Sequence, residues 1–418
     1  MKNTKDIFKE VISRIKPTKE EEKRFSDRIE YVLKKINRRL KDATAVLGGS
    51  VIKGTWLRDV HDADIFVCFD YDKYKDKGNI SNELEKALKH EFKKISKIHG
   101  SRDYFQIKEQ NFTFEIIPIL SIKKAEQAKN ITDVSPLHAR WVNKHREFRD
   151  EIRLTKQFFK AANVYGAESY IKGFSGYVCE ILTIYYKSFF NLLKAAAKWK
   201  EKTIIDVKHH YRNKEVLFIL NKSKIQSPLI IVDPVQKDRN AAAAVGREKF
   251  YLLIETAKKF IKNPSAKFFE KEKFWVVDLI KRARNKRLIL LEIQPHSGKR
   301  DIIGCKLVKA LEFIKIRFLT NDFRILEYGW NWENKNALFY FVLKRETLSK
   351  KKVWEGPPID RKEHVNFFKK KYRNTFIKDG KIYANVDRIY LQPEDMIKSL
   401  ISNDYLKDKI KCIKIKNE

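Results

Sequence analysis

Residues Leu47 to Phe69, LGGSVIKGTWLRDVHDADIFVCF, place several structural demands on one short span. Ala43 to Leu47 reads as a short buried strand, and Gly48-Gly49 lets the backbone turn sharply into a helical turn. From Asp62 the chain alternates: Ile65, Val67 and Phe69 hold one parity and Phe66 and Cys68 the other, the period of a strand. Asp62 and Asp64 are two apart, so on that strand both carboxylates project from one face. Cys68 is read as a core residue on the face opposite the aspartates. N–H groups at the Gly49-Ser50 turn, with the Ser50 hydroxyl, can hold a phosphate. Two carboxylates this close repel unless a cation sits between them, and hard oxygen ligands suit Mg²⁺.

A chain of 418 residues should form two to four domains with real cores. Hydrophobic content of 43% with 12% aromatic excludes wholesale disorder. No apolar run approaches the ~20 residues of a membrane span, and MKNTKDIFKEV lacks a signal-peptide core. Cys68, Cys179, Cys305 and Cys412 lie far apart with no CxxC, so neither a zinc site nor a disulfide framework is indicated. A reduced, cytoplasmic protein without membrane attachment is expected. The net charge of +36 calls for a polyanionic partner, nucleic acid before any other, unless it reflects a lysine-rich proteome.

Along the chain, Thr18 and Glu21 form a capping box that opens a helix striped by Phe25, Ile29, Val32, Ile36 and Leu40. A second helix from Ser81 carries Leu84, Leu88, Phe92 and Ile95. Tyr104 to Lys108 and Phe112 to Ile117 read as a hairpin turning near Gln110-Asn111. Glu115 is a carboxylate inside the apolar strand FEIIPIL, costly unless paired or bound to a metal. Residues 149–198 are helical in pattern, broken at Gly166 and Gly173. A short strand at Leu229 to Val232 and a helix from Arg247 to Ile261 follow. The last third reads as strands at Phe274 to Val277 and Leu288 to Ile293, then a helix through Leu307 to Phe318. Further strands near 322–328 and 337–343, a hairpin at Asp379-Gly380 and a last helix after Pro393 complete the expectation. His209-His210 reads as surface, since adjacent residues point apart.

The Gly-Ser…Asp-x-Asp spacing resembles the signature of the DNA polymerase β-like nucleotidyltransferases. The resemblance narrows further, to the archaeal-type (class I) CCA-adding enzymes, in GSVIKGTWLRDVHDADIFV, SPLHARWV, RLTKQFFKAANVYGAESYIKGFSGYVCEIL and VDPVQKDRN, and more weakly in WEGPPIDRKEHVNFF. It implies an α+β, multidomain chain. Residues 1–145 would be a nucleotidyltransferase head with a mixed sheet, 146–265 a mainly helical neck, and 266–418 an α+β body and tail that binds tRNA. It also implies template-independent addition of C, C and A to tRNA 3′ ends from CTP and ATP, and repair of damaged ends. Two Mg²⁺ ions would serve the transfer. Asp62, Asp64 and Glu115 match the family's metal-binding carboxylates, with Glu115 standing where aspartate is usual. Gly49, Ser50, Lys53 and His138 match contacts to the incoming nucleotide, Lys156 and Tyr165 a triphosphate-binding pair, and Arg239 the arginine that helps read the base edge of CTP and ATP. Lys53 stands where arginine is frequent, and Ser135 where threonine is usual.

The cation–aromatic runs Lys350 to Trp354 and Phe367 to Arg373 suit phosphate tracking with stacking against the acceptor and T arms. A homodimer is compatible with the sequence. Rival readings are poly(A) or oligoadenylate synthesis on the same fold, or a non-catalytic basic RNA-binding protein.

Overall fold

Two helices open the chain, α1 (Thr4–Ile15) and α2 (Lys19–Asn37), in a computed structural model that describes residues 3–416 other than 59, 77, 213, 214, 273 and 334. The capping box is formed: Thr18 N–H donates to Glu21 Oε2 at 2.8 Å and Glu21 N–H to Thr18 Oγ1 at 3.2 Å. No element was expected at α1, because its buried side is only Ile7 and Val11 in a charged segment.

The strands β1 (Ala43–Leu47), β2 (Asp62–Phe69), β3 (Ser96–Ile98), β4 (Tyr104–Glu109) and β5 (Phe112–Leu120) form a sheet ordered β1-β2-β5-β4-β3. It is mixed: β2 and β5 run parallel and the other pairs antiparallel. Short helices α3 (Gly49–Lys53) and α4 (Tyr71–Tyr74) flank β2, and α5 (Ile80–Glu91) follows. One face of the sheet is closed by apolar stripes. Phe25, Ile29, Val32 and Ile36 from α2, with Leu84 and Leu88 from α5, pack on Ile65, Val67, Phe114 and Ile116. Phe25 stacks on Phe112 with ring centroids 4.7 Å apart. The other face of β2 and β5 carries Asp62, Asp64 and Glu115 at one end and the buried Phe66 and Ile119 farther along.

A second core in the same compact unit, Met1–Glu272, is helical. It is built from α6 (Ser135–Asn143), α7 (Arg149–Ala161), α8 (Gly176–Tyr186), α9 (Phe189–Ala196) and α11 (Arg247–Lys262), after a short α10 (Val216–Ile219). Phe158, Phe189, Phe260 and Phe269 pack edge-to-face within it. A parallel pair, β6 (Thr203–Asp206) and β7 (Leu229–Val232), lies beside it.

The other compact unit, from residue 273 to the end, contains α12 (Val276–Arg282), β8 (Arg287–Gln294), α13 (Arg300–Thr320), β9 (Ile325–Glu333) and β10 (Asn336–Leu343). There follow β11 (Lys351–Pro358), α14 (Lys362–Lys371), β12 (Thr375–Lys378), β13 (Lys381–Asp387), α15 (Pro393–Leu400), α16 (Asp404–Lys409) and β14 (Cys412–Lys416). One sheet is ordered β14-β8-β10-β9 and another β11-β13-β12. Both faces of β8 are covered: Leu291 and Ile293 join Leu307 and Ile314 of α13, while Leu290 joins Leu279 of α12. The α+β, multidomain class expected from the sequence is the one observed.

α2 stops at Asn37, before Leu40, and α5 at Glu91, before Phe92 and Ile95, and two element assignments fail. Phe274 to Val277 is no strand: Val276 opens α12, whose buried residue, Leu279, lies three on, a helical spacing. The helix at Pro393 is not the last element, since α16 and β14 follow, and Ile413 on β14 packs into the sheet core. Both segments are too short for periodicity to separate helix from strand.

Candidate active site

Parallel pairing sets Asp64 opposite Glu115 and Asp62 opposite Thr113. Ala63, Ile65, Phe114 and Ile116 face the helix-covered core, so alternation sends Asp62, Asp64 and Glu115 out of the opposite face. Asp62 is exposed, whereas Asp64 and Glu115 are half-buried. Cys68 is corrected here: its even number puts it on the aspartates' own face, half-buried, and not on the core face. Gly49 has a φ of 60° and sits against Asp64 so closely that a Cβ would run into Oδ2.

Burial, then the negative charges of Glu115 and Asp62, push the Asp64 carboxyl up to about 6, against the pull of Lys53. The donor set of hard carboxylate oxygens on one face, mutually repelling, fits a divalent cation in chemistry and in register. Their side chains do not stand in ligating geometry: among the described residues no three acidic, His or Cys side chains are arranged to hold an ion. Glu115 Oε1 instead accepts from Gln106 Nε2 at 2.8 Å across the β4–β5 pair. Its longer arm reaches that neighbour, and its other lone pairs remain for a cation.

On the far side of α3, Arg149, Arg153 and Lys156 share one face of α7 at spacings of four and three. All three grip the end of α3 or the segment just after it. Arg149 Nε donates to Lys53 O at 3.0 Å, Arg153 Nε to Trp56 O at 3.0 Å, and Lys156 Nζ to Thr55 Oγ1 at 2.8 Å. Glu180 of α8, fully buried, closes the network. Its Oε1 accepts from Lys156 at 2.7 Å and Thr55 at 2.9 Å, and its Oε2 from Lys53 at 2.7 Å. Burial alone would raise the Glu180 carboxyl; Lys156 and Lys53 outweigh it and hold the group down at about 2. Gly176 begins α8 without a side chain, and a Cβ there would come within 2.8 Å of the Tyr165 hydroxyl and 3.7 Å of Lys156 Cε. Lys53, Lys156 and Tyr165 therefore gather where the end of α3 meets α7 and α8, while Ser50 lies at the start of α3 beside Gly49. Glu180 had not been singled out from the sequence; its signal is a lone carboxylate in the apolar run YVCEILTIYY.

A second cluster gathers around Asp233, fully buried just after β7. Arg239 Nη1 donates to its Oδ2 at 2.6 Å and the Tyr177 hydroxyl to its Oδ1 at 3.1 Å. His138 of α6 stacks on Tyr177 with ring centroids 4.1 Å apart, and its Nε2 lies 3.1 Å from Asp233 Oδ2. Burial opposes ionisation of Asp233, but His138, Arg239 and the Val235 amide hold its carboxyl at about 2. A cavity of about 390 Å³ opens beside this cluster, lined by Ser175, Gln236, Arg239 and Asn240 among others. From the sequence, His138 and Arg239 are separate nucleotide contacts; the structure brings them together on Asp233, a carboxylate not singled out from the sequence. His209 and His210 are exposed, as expected.

In the unit from residue 273 on, the two cation–aromatic runs fall on different elements. Lys352 and Trp354 lie on β11, with the Lys352 ammonium 4.8 Å from the indole centroid and Trp354 45% exposed. Phe367, on α14, is 70% exposed.

Three family models match the chain. A nucleotidyltransferase domain matches residues 29–137, a tRNA nucleotidyltransferase second domain 150–270, and a CCA-adding enzyme C-terminal domain 284–407. The CCA-adding enzyme of Nanoarchaeum equitans is 33% identical over 386 residues, spanning 92% of this chain and 94% of that one. That of Methanocaldococcus jannaschii is 30% identical over 414 residues, 96% of this chain and 91% of that one. Among solved structures, a cytoplasmic RNA terminal U-transferase gives a TM-score of 0.50 at 16% identity, covering 65% of this chain and 99% of that one. A Cid1 poly(U) polymerase mutant bound to MgATP gives 0.52 at 15%, covering 64% and 98%. These last likenesses are of fold alone.

Proposed function

The chain belongs to the CCA-adding enzyme family, and on that premise we propose that it adds C, C and A, without a template, to the 3′ end of tRNA from CTP and ATP, and restores damaged ends. The observation that carries the reading to these residues is the facing of Asp64 and Glu115 across β2 and β5, with Gly49 packed on the Asp64 carboxylate.

Asp62, Asp64 and Glu115 would hold two Mg²⁺ ions, which when bound lower the pKa of the attacking 3′-hydroxyl and neutralise charge on the triphosphate. Ser50 and the Gly49 turn take phosphate oxygens; Lys53 and Lys156 add positive charge, and Tyr165 a hydroxyl donor. Arg239, held by Asp233, presents its remaining guanidinium donors to the base edge, and His138 stands beside it on the Tyr177 ring. A base pocket built from a braced arginine serves C and A in turn because both carry an acceptor ring nitrogen beside an amine. Residues 1–145 would supply the carboxylates, 146–265 the rest of the nucleotide site, and 266–418 the basic surface for the acceptor and T arms.

The test is incubation of the chain with tRNA lacking its terminal CCA, Mg²⁺, CTP and ATP, followed by sequencing of the product ends. Addition of C, C and A bears the proposal out. Long A tails would assign poly(A) synthesis, and tRNA binding without extension a non-catalytic role.

A further inference from the structure

Among the described residues, the Glu180 carboxylate touches both lysines proposed for the triphosphate. Its surroundings are closed: Glu180 is fully buried, Thr55 likewise, and Lys156 is 4% exposed. Lys53 is the outer partner, with a side chain 12% exposed. Two ammonium groups this close would repel, and burial already draws the Lys156 ammonium below its ordinary value against the pull of Glu180. A single carboxylate with one oxygen on each lysine removes that repulsion, and Thr55 fixes the rotation of the carboxylate by bonding its inner oxygen. Each ammonium has three donors; Lys156 directs all three inward, to Glu180 Oε1, Thr55 Oγ1 and Thr55 O, and so acts on phosphate through its charge alone. Lys53 spends one on Glu180, which leaves two to turn outward.

We propose that Glu180 is a positioning residue for the triphosphate: it holds Lys53 and Lys156 side by side as a ready pair of cations, so that CTP and ATP meet the same preset phosphate site. The inference rests on the assignment of these lysines to the nucleotide. It adds that their geometry is owed to a carboxylate on α8, and that the carboxylate acts equally on both substrates because the triphosphate is what they share.

The experiment compares the full chain with Glu180→Gln and Glu180→Asp. Expected for Glu180→Gln is a rise in KM of about tenfold, the same for CTP and ATP, with kcat changed by less than about threefold, the signature of lost uniform binding. Inorganic tripolyphosphate, titrated by calorimetry in the presence of Mg²⁺, should bind more weakly by a similar factor. Glu180→Asp keeps the charge on a shorter arm and should fall between the two; it carries the test if Glu180→Gln does not fold. Unchanged or tighter tripolyphosphate binding would overturn the proposal, because Glu180 would then compete with phosphate for the lysines. So would a loss confined to kcat, or a KM rise for one nucleotide alone. A parent chain that binds tripolyphosphate but never extends tRNA would bring down the proposed reaction and leave the role of Glu180 standing on the binding data.

Discussion

The Asp64 carboxylate occupies the space that a side chain at Gly49 would need. Gly49 holds a φ of 60°, and a Cβ built on it runs into Asp64 Oδ2. The glycine turn after β1 and the acidic strand β2 are thus one device: the turn packs against the carboxylate that burial, and then the charges of Glu115 and Asp62, push up.

Gly49→Ala should therefore cost activity well beyond its cost in stability. The left-handed backbone penalises alanine by about 1–2 kcal/mol. Displacing Asp64 by even an ångström can cost on the order of 100-fold in rate. Steady-state incorporation and thermal melting of the same preparation separate the two, and a variant with near-normal turnover would contradict the packing argument.

Divalent metal should stabilise the chain, and less so in acid. Asp64, raised to about 6, is ionised at neutral pH among like charges, which favours cation binding. As pH falls through about 6 the proton competes with the metal, and the stabilisation shrinks. At about 100 times Kd a bound ion adds about 2.7 kcal/mol. Melting with and without Mg²⁺ near neutral pH and near pH 5 reads this directly. An Mg²⁺-induced shift independent of pH would place the ion elsewhere.

Glu180 and Asp233 make the opposite contribution. Both carboxyls are held at about 2, below ordinary values of 4.5 and 3.8, so the folded state favours their ionised forms. That stability is fully present above about pH 4.5 and is lost as pH falls toward 2. Denaturant unfolding as a function of pH should show the loss, with a shallower slope in Glu180→Gln. An unchanged slope in that variant would assign the acid sensitivity to other groups.

Trp354 should matter for RNA and not for folding. It is 45% exposed on β11 beside Lys352. Stacking of a base on an aromatic ring is worth about 1–3 kcal/mol, so Trp354→Ala should weaken tRNA binding about tenfold with little change in melting temperature. Undiminished tRNA affinity would remove β11 from the interface.

Much of the fold was legible because its signals are long or chemically strict. The α2 stripe repeats through Phe25, Ile29, Val32 and Ile36, and alternation along β2 and β5 settles which side chains share a face. Counting parity alone would also have put Cys68 beside the aspartates. What stayed hidden depends on neighbours distant in sequence. Glu180 looks like a stray charge in an apolar helix until α7 and α3 bring two lysines to it, from 24 and 127 residues away. Asp233 follows a four-residue strand and gains its meaning from His138, Tyr177 and Arg239. β14 is five residues long, and its pairing with β8 is set by partners more than 100 positions earlier.

The central claim is that one carboxylate site performs every addition. Its most direct measurement is the incorporation of C and of A by Asp64→Asn, each assayed on tRNA trimmed to the matching step, alongside tRNA affinity. The expected result is loss of both additions by a similar factor with affinity for tRNA retained. Survival of either addition at near-parent rate would contradict a shared site and, with it, the roles given to Asp62 and Glu115.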